Sequence, residues 1–168
     1  SQITHNEIYN SDRCAIRFDD CIMTDIAYNY FHHCMLNSAD GGVVYGFRSL
    51  TFRDSNIRYN LFTDIPNRTG VQYAIYNDGA HAWNIYGNVF YGAAAVNVVL
   101  NGGRDNHVYE NVCINTGNPK SSFMLYNSDM IDEESGDEIK LGDILFTYET
   151  DKASFECEST AEGTLLEI

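Results

Sequence analysis

Residues 57–62 read Ile57-Arg58-Tyr59-Asn60-Leu61-Phe62, and the same pattern occurs four more times in the chain. In every copy an aliphatic residue is followed by two variable positions, an Asn, one variable position and an apolar residue. The copies begin at residues 3, 26, 57, 85 and 108, which are 23, 31, 28 and 23 residues apart. These steps have the length of one turn of a solenoid and are too short for separate domains.

The residues of the repeat favour strands. No copy sustains the i, i+3, i+4, i+7 apolar spacing of a helix, whereas Ile, Val, Phe and Tyr dominate and the chain has only two prolines. The repeated Asn is a residue that tolerates left-handed backbone at a corner, and stacked copies would form an internal amide ladder. We therefore predict an all-β protein, a right-handed parallel β-helix of about five to seven turns.

A second set of strand-like segments lies between the copies, at residues 14–18, 42–45, 73–76, 96–100 and 122–126. Each turn then contributes at least two strands. We expect a third strand just before each copy, as in Leu50-Thr51-Phe52.

The charge of the chain is unevenly distributed. The formal net charge is −14, and residues 129–168 hold 13 acids and 2 bases. We predict β-helix turns over residues 1–128 and an acidic cap or terminal turns over residues 129–168 that close the open edge of the stack. The chain lacks the basic surface that nucleic acid requires, and the sequence shows neither an apolar run of membrane-spanning length nor a signal peptide. Because Ser1 lies so close to the first repeat, we expect a fragment of a longer β-helix, and we expect a monomer.

Neither the cysteines nor the acidic residues predict a cofactor. Five cysteines at irregular spacing, with no C-x-x-C pair, do not make a disulfide framework and are expected to be small buried residues. The adjacent His32 and His33 are predicted to point to opposite faces of a strand and so not to share a metal. Calcium would need converging acids, and Asp19, Asp20 and Asp25 are the only cluster in the body of the chain.

Polar residues that a solenoid does not need cluster around the second set of segments. Asp40-Gly41-Gly42 precedes one segment, Asn77-Asp78-Gly79-Ala80-His81 follows the next, and Asn101-Gly102-Gly103-Arg104-Asp105-Asn106 follows the one after. If Tyr76, Leu100 and Tyr126 stack, Asp78, Gly102 and Ser128 share a column, with Asn77, Asn101 and Asn127 beside them. Glycines next to a carboxylate leave room for a ligand.

These motifs, together with residues 57–65 and 85–90, resemble bacterial right-handed β-helix glycoside hydrolases. The likeness covers about residues 1–128 and is greatest to the α-L-fucosidase-type group, which is similar in fold to β-helix xylosidases, pectate lyases and alginate lyases. The resemblance implies a secreted or periplasmic enzyme acting on plant or host poly- or oligosaccharides. It also implies that Asp40 and Asp78 are the catalytic carboxylate pair.

Glycoside cleavage requires two carboxyl groups about 5–5.5 Å apart for retention or about 6.5–9.5 Å apart for inversion. Asp40 and Asp78 lie on consecutive turns, but Asp40 is five residues before the expected Tyr45–Tyr76 column and Asp78 two residues after it. Either the Asp-Gly-Gly turn folds back, or another acid is the partner; Asp20 is the reserve if Phe18 stacks with Tyr76.

The remaining polar and aromatic side chains near these carboxylates are candidate substrate contacts. Amides, a histidine and an arginine would hold sugar hydroxyls, and aromatic rings would offer stacking faces; the candidates are Asn77, His81, Asn101, Arg104, Tyr45, Tyr76 and Trp83. Taken alone, Asp-Gly and Asn-Gly pairs are also common turn formers.

Two other functions remain open. A polysaccharide lyase needs a Lys or Arg base, and the body offers Lys120 and scattered arginines. A non-catalytic glycan-binding or structural β-helix needs no active site.

Overall fold

A computed structural model gives the fold of the chain. It describes residues 1–19, 21–47, 53–66, 72–92, 94–114, 121–126, 138–139, 144–150, 153–158 and 163–164. The chain divides into two compact units, Ser1–Ser128 and Asp129–Ile168. Every regular element in the described part is a β-strand, and no described helix could cross a membrane.

The first unit is a solenoid in which each turn contributes one strand to each of three parallel sheets. The first sheet contains β1 (Gln2–Thr4), β4 (Asp25–Ala27), β7 (Asn56–Arg58), β10 (Asn84–Tyr86) and β13 (His107–Tyr109). The second contains β2 (Glu7–Tyr9), β5 (Tyr30–His32), β8 (Leu61–Thr63), β11 (Val89–Tyr91) and β14 (Val112–Ile114). The third contains β3 (Ile16–Phe18), β6 (Gly41–Gly46), β9 (Gln72–Asp78), β12 (Val96–Asn101) and β15 (Ser121–Tyr126). The predicted all-β parallel solenoid is confirmed, but it has about four complete turns between five strand sets, fewer than the five to seven predicted.

Each copy of the sequence repeat forms two strands joined at the corner Asn. The apolar residue before the Asn lies in the first sheet and the one after it lies in the second, so Ile57 pairs with Ile26 and Ile85, and Phe62 with Phe31 and Phe90. The repeat therefore supplies two strands of each turn, one to the first sheet and one to the second. The second set of predicted segments forms the third sheet. Leu50-Thr51-Phe52, where a further strand was expected, lies outside the described residues.

The corner asparagines form the predicted amide ladder. The Oδ1 of Asn60 accepts from the backbone N and the Nδ2 of Asn29, at 2.9 and 3.0 Å, and the Nδ2 of Asn60 donates to Ile26 O and to the Oδ1 of Asn88. The same bonds link the successive members Asn6, Asn29, Asn60, Asn88 and Asn111. Because the three inner members are almost completely buried, these bonds satisfy backbone and side-chain groups that have no access to water.

The left-handed residue of each corner is the one before the Asn, which corrects the expectation that the Asn itself adopts this conformation. Positive φ angles occur at the third position of every copy, namely His5, Tyr28, Tyr59, Gly87 and Glu110. The Asn side chain is thereby left free to bond along the stack.

Aromatic rings stack along the corner, where His5 lies over Tyr28 and Tyr28 over Tyr59, with centroids 5.1 and 5.3 Å apart. The column ends at Gly87, which has no ring, and a Cβ there would overlap the ring of Tyr59. Glycine at the fourth copy therefore leaves space for Tyr59, and it adopts the left-handed φ of +64° without strain.

The core consists of the inward side chains of the three sheets. Phe31, Phe62 and Phe90 have no exposed surface and stack with centroids 4.9 and 5.0 Å apart. Burial of one such ring stabilises the fold by about 1.5–3 kcal/mol. Cys34 is fully buried, and the other described cysteine side chains, those of Cys14, Cys21 and Cys113, are partly buried against the core clusters.

The second unit contains antiparallel strands. There β16 (Glu138–Ile139) pairs with β19 (Gly163–Thr164), and β17 (Ile144–Thr150) pairs with β18 (Ala153–Glu158). Antiparallel pairing distinguishes these strands from the parallel turns of the solenoid, and the capping role of this unit stays a prediction.

Candidate functional site

The candidate site lies on the outer face of the third sheet, whose strands β6, β9, β12 and β15, of six or seven residues, are the longest of the solenoid. Tyr45 pairs with Tyr76, as predicted, and Tyr76 pairs with Val99. The expected alignment of Tyr76 with Leu100 is wrong by one residue. Leu100 packs against the core, whereas Val99 belongs to a separate cluster, here called the outer cluster, which also contains Tyr45, Tyr73, Tyr76 and Val96. A shift by one residue would have turned Leu100 outwards. The actual register aligns Asp78 with Asn101, not with Gly102.

Asp78 is held between two neighbouring turns. Its Oδ2 accepts from the hydroxyl of Tyr45 at 3.0 Å, and its Oδ1 accepts from the Nδ2 of Asn101 at 2.7 Å. The same Nδ2 lies 3.3 Å from the hydroxyl oxygen of Tyr76. Only 5% of Asp78 is exposed. Both carboxylate oxygens thus have a neutral donor, which compensates part of the cost of burying a charge.

The two phenols beside Asp78 are held in their protonated form. Burial, and after it the negative charge of Asp78, raise the pKa of Tyr76 to about 12. The same two causes raise the pKa of Tyr45 further, and its hydrogen bond to Asp78 adds to them. Their rings lie 5.1 Å apart. At neutral pH Tyr45 is therefore a hydrogen-bond donor to the carboxylate and not a base.

The second glycine of the Asp-Gly-Gly motif is required by close packing at this site. A Cβ at Gly42 would lie 2.9 Å from both the backbone N and the Cβ of Tyr76. Any side chain at position 42 would displace Tyr76 and, through it, the contact with Asn101.

Arg17 and Phe47 complete the outer face beside Tyr45. The guanidinium of Arg17 lies 5.8 Å from the ring centre of Tyr45 and 5.5 Å from that of Phe47, and it forms an ion pair with Asp19 at 3.2 Å. Phe47 is 40% exposed. Sequence reasoning did not select Arg17, although the alternation of residues 16–18 places it on the outward side, in the column of Tyr45.

Asp40 is exposed and immediately precedes β6, with a left-handed φ of 56°. Gly41, the next residue, pairs with Gln72, six residues before Asp78. Six residues of straight strand span about 20 Å. The negative charge of Asp40 nevertheless contributes, as a minor cause, to the raised pKa of both Tyr45 and Tyr76. In the part of the chain that is described, Asp78 bonds to Tyr45 and Asn101 and not to Asp40.

The reserve candidate Asp20 lies outside the described residues. Its selection depended on Phe18 stacking with Tyr76, and this is wrong, since Phe18 pairs with Gly46, which in turn pairs with Asn77. Asp19 forms an ion pair with Arg17.

The structure describes three other residues that were predicted to contact a substrate, and each of them is buried. Asn77 is fully buried and closes a corner, where it accepts from Ala80 N at 2.8 Å and donates to the Oδ1 of Asn106 at 3.1 Å. His81 is almost completely buried and its Nδ1 accepts from the backbone N of the exposed Arg104. Trp83 has no exposed surface and stacks on Phe18, so it offers no face to a sugar.

Two of the three acids considered for calcium, Asp19 and Asp25, form ion pairs with arginines. Asp25 forms a two-pronged ion pair with Arg58, with both N–O distances 2.8 Å, and Asp19 pairs with Arg17. Within the described residues, no group of three His, Cys, Asp or Glu side chains lies close enough together to hold a metal ion.

The expectation that His32 and His33 point apart is wrong. His33 follows the last residue of β5 with a φ of +50°, and this turn brings its Nδ1 to 2.8 Å from the Nδ1 of His32.

Comparisons with protein-family models, with characterised proteins and with solved structures found no match. A β-solenoid by itself supports many functions. The functional interpretation therefore depends on the surroundings of Asp78.

Proposed function

We propose that this chain is a carbohydrate-active β-helix domain, a glycoside hydrolase in which Asp78 is the carboxylate that attacks the sugar or activates water. The observation that carries the proposal is that two neutral donors bind the carboxylate of Asp78. Tyr45 lies on the turn before that of Asp78, and Asn101 lies on the turn after it. Such a carboxylate is fixed in orientation by groups that do not neutralise it, which suits a general base or nucleophile.

The partner acid in this proposal is Asp40. It is exposed, its charge influences both phenols, and two glycines follow it in a turn where backbone can approach a ligand. Because the two carboxyl groups lie apart along the strand direction in the structure, this role requires the Asp-Gly-Gly turn to bring Asp40 to within about 9.5 Å of Asp78 when a sugar binds.

Lyase chemistry has less support in the described residues. Proton abstraction next to a carboxyl group needs a free base. Arg58 is held by Asp25 and Arg17 by Asp19. The raised pKa of Tyr45 opposes its use as a phenolate. Lys120 lies outside the described residues.

A second candidate function is glycan binding without catalysis. It is favoured by the low exposure of Asp78, whose two oxygens are both engaged within the protein. In this second case the buried carboxylate of Asp78 holds the strands of the third sheet together and takes no part in chemistry.

The test is a panel of aryl glycosides and of pectic and alginate polymers, followed by release of aglycone and by the ultraviolet absorbance of unsaturated uronic ends. The variants are Asp78→Asn and Asp40→Asn. Asp54→Asn is the matched control for Asp40→Asn, because Asp54 is exposed with a nearly identical φ of 58° but lies at the first-sheet side of its turn. Loss of a general acid or base should lower turnover by about 10²–10⁴-fold.

Aglycone release that both site variants abolish and the control retains would support the hydrolase. Formation of unsaturated uronic ends would show that the chain is a lyase and would overturn the hydrolase proposal. Binding of a polymer without turnover, measured on the same panel, would support the glycan-binding candidate and end the hydrolase proposal.

A further inference from the structure

The outer face of the second sheet carries a histidine whose ring is fixed on every side. The ring of His32 is stacked between those of Tyr9 and Tyr30, with centroids 4.9 and 4.5 Å away. Its Nε2 lies 3.1 Å from the Oε1 of Glu7 on the neighbouring strand, and its Nδ1 lies 2.8 Å from the Nδ1 of His33. These contacts leave the His32 side chain only 16% exposed.

The hydrogen bonds determine which nitrogen of His32 carries a proton. A carboxylate only accepts, so the Nε2 of His32 donates to Glu7. In the neutral ring the Nδ1 is then an acceptor, and the Nδ1 of the exposed His33 donates to it. Two imidazole nitrogens thus face each other across a single proton.

This arrangement has the parts of a metal site. Histidines that bind metals commonly donate their other ring nitrogen to a carboxylate, which fixes the tautomer and the orientation of the ring. Glu7 has that relation to His32. The strand position of His32 and the left-handed turn at His33 bring in a second imidazole.

The separation of the two nitrogens indicates the kind of ion. Ligand nitrogens about 2.0 Å from a metal lie about 2.8 Å apart at a 90° angle and about 3.3 Å apart at a tetrahedral angle. The observed 2.8 Å, which the hydrogen bond between the two rings sets, is also the spacing of the right-angle case. Imidazole ligands at right angles are typical of tetragonal Cu²⁺ and Ni²⁺.

We propose that His32 and His33 bind a divalent late first-row transition metal through their Nδ1 atoms, with Glu7 as the carboxylate that orients His32 and water at the remaining positions. When the ion binds, the proton between the two nitrogens moves through water to the Nε2 of His33, so each neutral ring supplies one lone pair. The proposal is independent of the Asp78 site.

The test is titration of the whole chain with Cu²⁺, followed by calorimetry and by electron paramagnetic resonance. The variants are His32→Asn and His33→Asn; Asn tolerates the left-handed backbone at position 33. His107→Asn is the control, since His107 is exposed on the first sheet and away from Glu7. Thermal unfolding of each variant without metal shows whether it is folded.

The expected result is one Cu²⁺ per chain with two equivalent nitrogen couplings, lost in either site variant and kept in the control. Glu7→Gln should weaken binding by about 10–100-fold, as removal of an orienting carboxylate does elsewhere. Copper binding that is unchanged in His33→Asn, or a spectrum with a single nitrogen ligand in the wild type, would overturn the proposal. If the folded wild type does not bind Cu²⁺, the proposal is also overturned, and the contact between His32 and His33 is then a hydrogen bond only.

Discussion

Replacement of Asn60 by Ala should destabilise the solenoid far more than the same change at the end of the ladder. The side chain of Asn60 takes part in four hydrogen bonds and is 1% exposed. Its removal leaves the buried backbone N of Asn29 without a partner and takes one donor from each of two oxygens, the carbonyl oxygen of Ile26 and the Oδ1 of Asn88. An unsatisfied buried N–H costs about 1–3 kcal/mol and each further lost bond about 0.5–1.5 kcal/mol, so we expect a loss of about 4 kcal/mol.

The matched control is Asn6→Ala. Asn6 is exposed, and its side chain donates only to Thr4 O and to the Oδ1 of Asn29, which keeps the bond from the backbone N of Asn6. Water can replace what is lost, and the expected cost is about 1 kcal/mol or less. Asn60→Asp should cost at least as much as Asn60→Ala, because a carboxylate has no proton to donate to Ile26 O.

The assay is urea unfolding followed by the fluorescence of Trp83, the single tryptophan, which is fully buried in the solenoid core and so reports on the first unit. Free energies follow from the midpoints if the slope is unchanged. Equal losses for Asn60→Ala and Asn6→Ala would refute the view that the ladder stabilises the stack through its buried bonds.

Two further predictions concern glycine packing and the phenols. Gly87→Ala should cost about 3 kcal/mol in the wild type, from left-handed backbone and the clash with Tyr59, and about 1 kcal/mol in a Tyr59→Ala background, measured by the same unfolding assay in a double-mutant cycle; equal costs in both backgrounds would contradict the clash. Tyr76 ionises at a pKa of about 12 when folded and near 10 when unfolded, so the folded state binds more protons between these values and stability falls as pH rises through them, by about 2–3 kcal/mol. The raised pKa of Tyr76 would be refuted if stability is constant from pH 10 to 12 and all tyrosines titrate together in ultraviolet absorbance.

The fold could be predicted because one residue type recurs with a spacing that only a solenoid satisfies. The corner Asn is needed once per turn, so its positions at residues 6, 29, 60, 88 and 111 record the turns directly. Which residue of the corner is left-handed could not be deduced, because His5, Tyr28 and Tyr59 are not typical left-handed residues. Stacking of their rings along the corner accompanies this conformation.

The candidate site was predicted in composition but not in register. Asp78 and Asn101 were both selected, yet their direct bond depends on Tyr76 pairing with Val99. The outer cluster includes both Tyr73 and Tyr76 while Ala74 and Ile75 face the core, so the strand does not alternate strictly. A count along an ideal strand therefore fails by one residue.

The contact between His32 and His33 was missed for a related reason. Consecutive residues point to opposite faces only while the strand continues. The strand ends at His32, and the left-handed turn at His33 reverses the direction of the next side chain. No local sequence signal distinguishes this ending from a longer strand.

The most direct test of the proposed role of Asp78 is the ratio of kcat/KM for aglycone release between the wild type and Asp78→Asn, in chains that unfold at the same urea concentration. Asn at position 78 can still accept from Asn101 and pair with the Tyr45 hydroxyl, so the fold should persist. We predict a ratio of about 10²–10⁴, with Asp54→Asn close to the wild type. A ratio near one on a substrate that the wild type cleaves would contradict a catalytic role for Asp78.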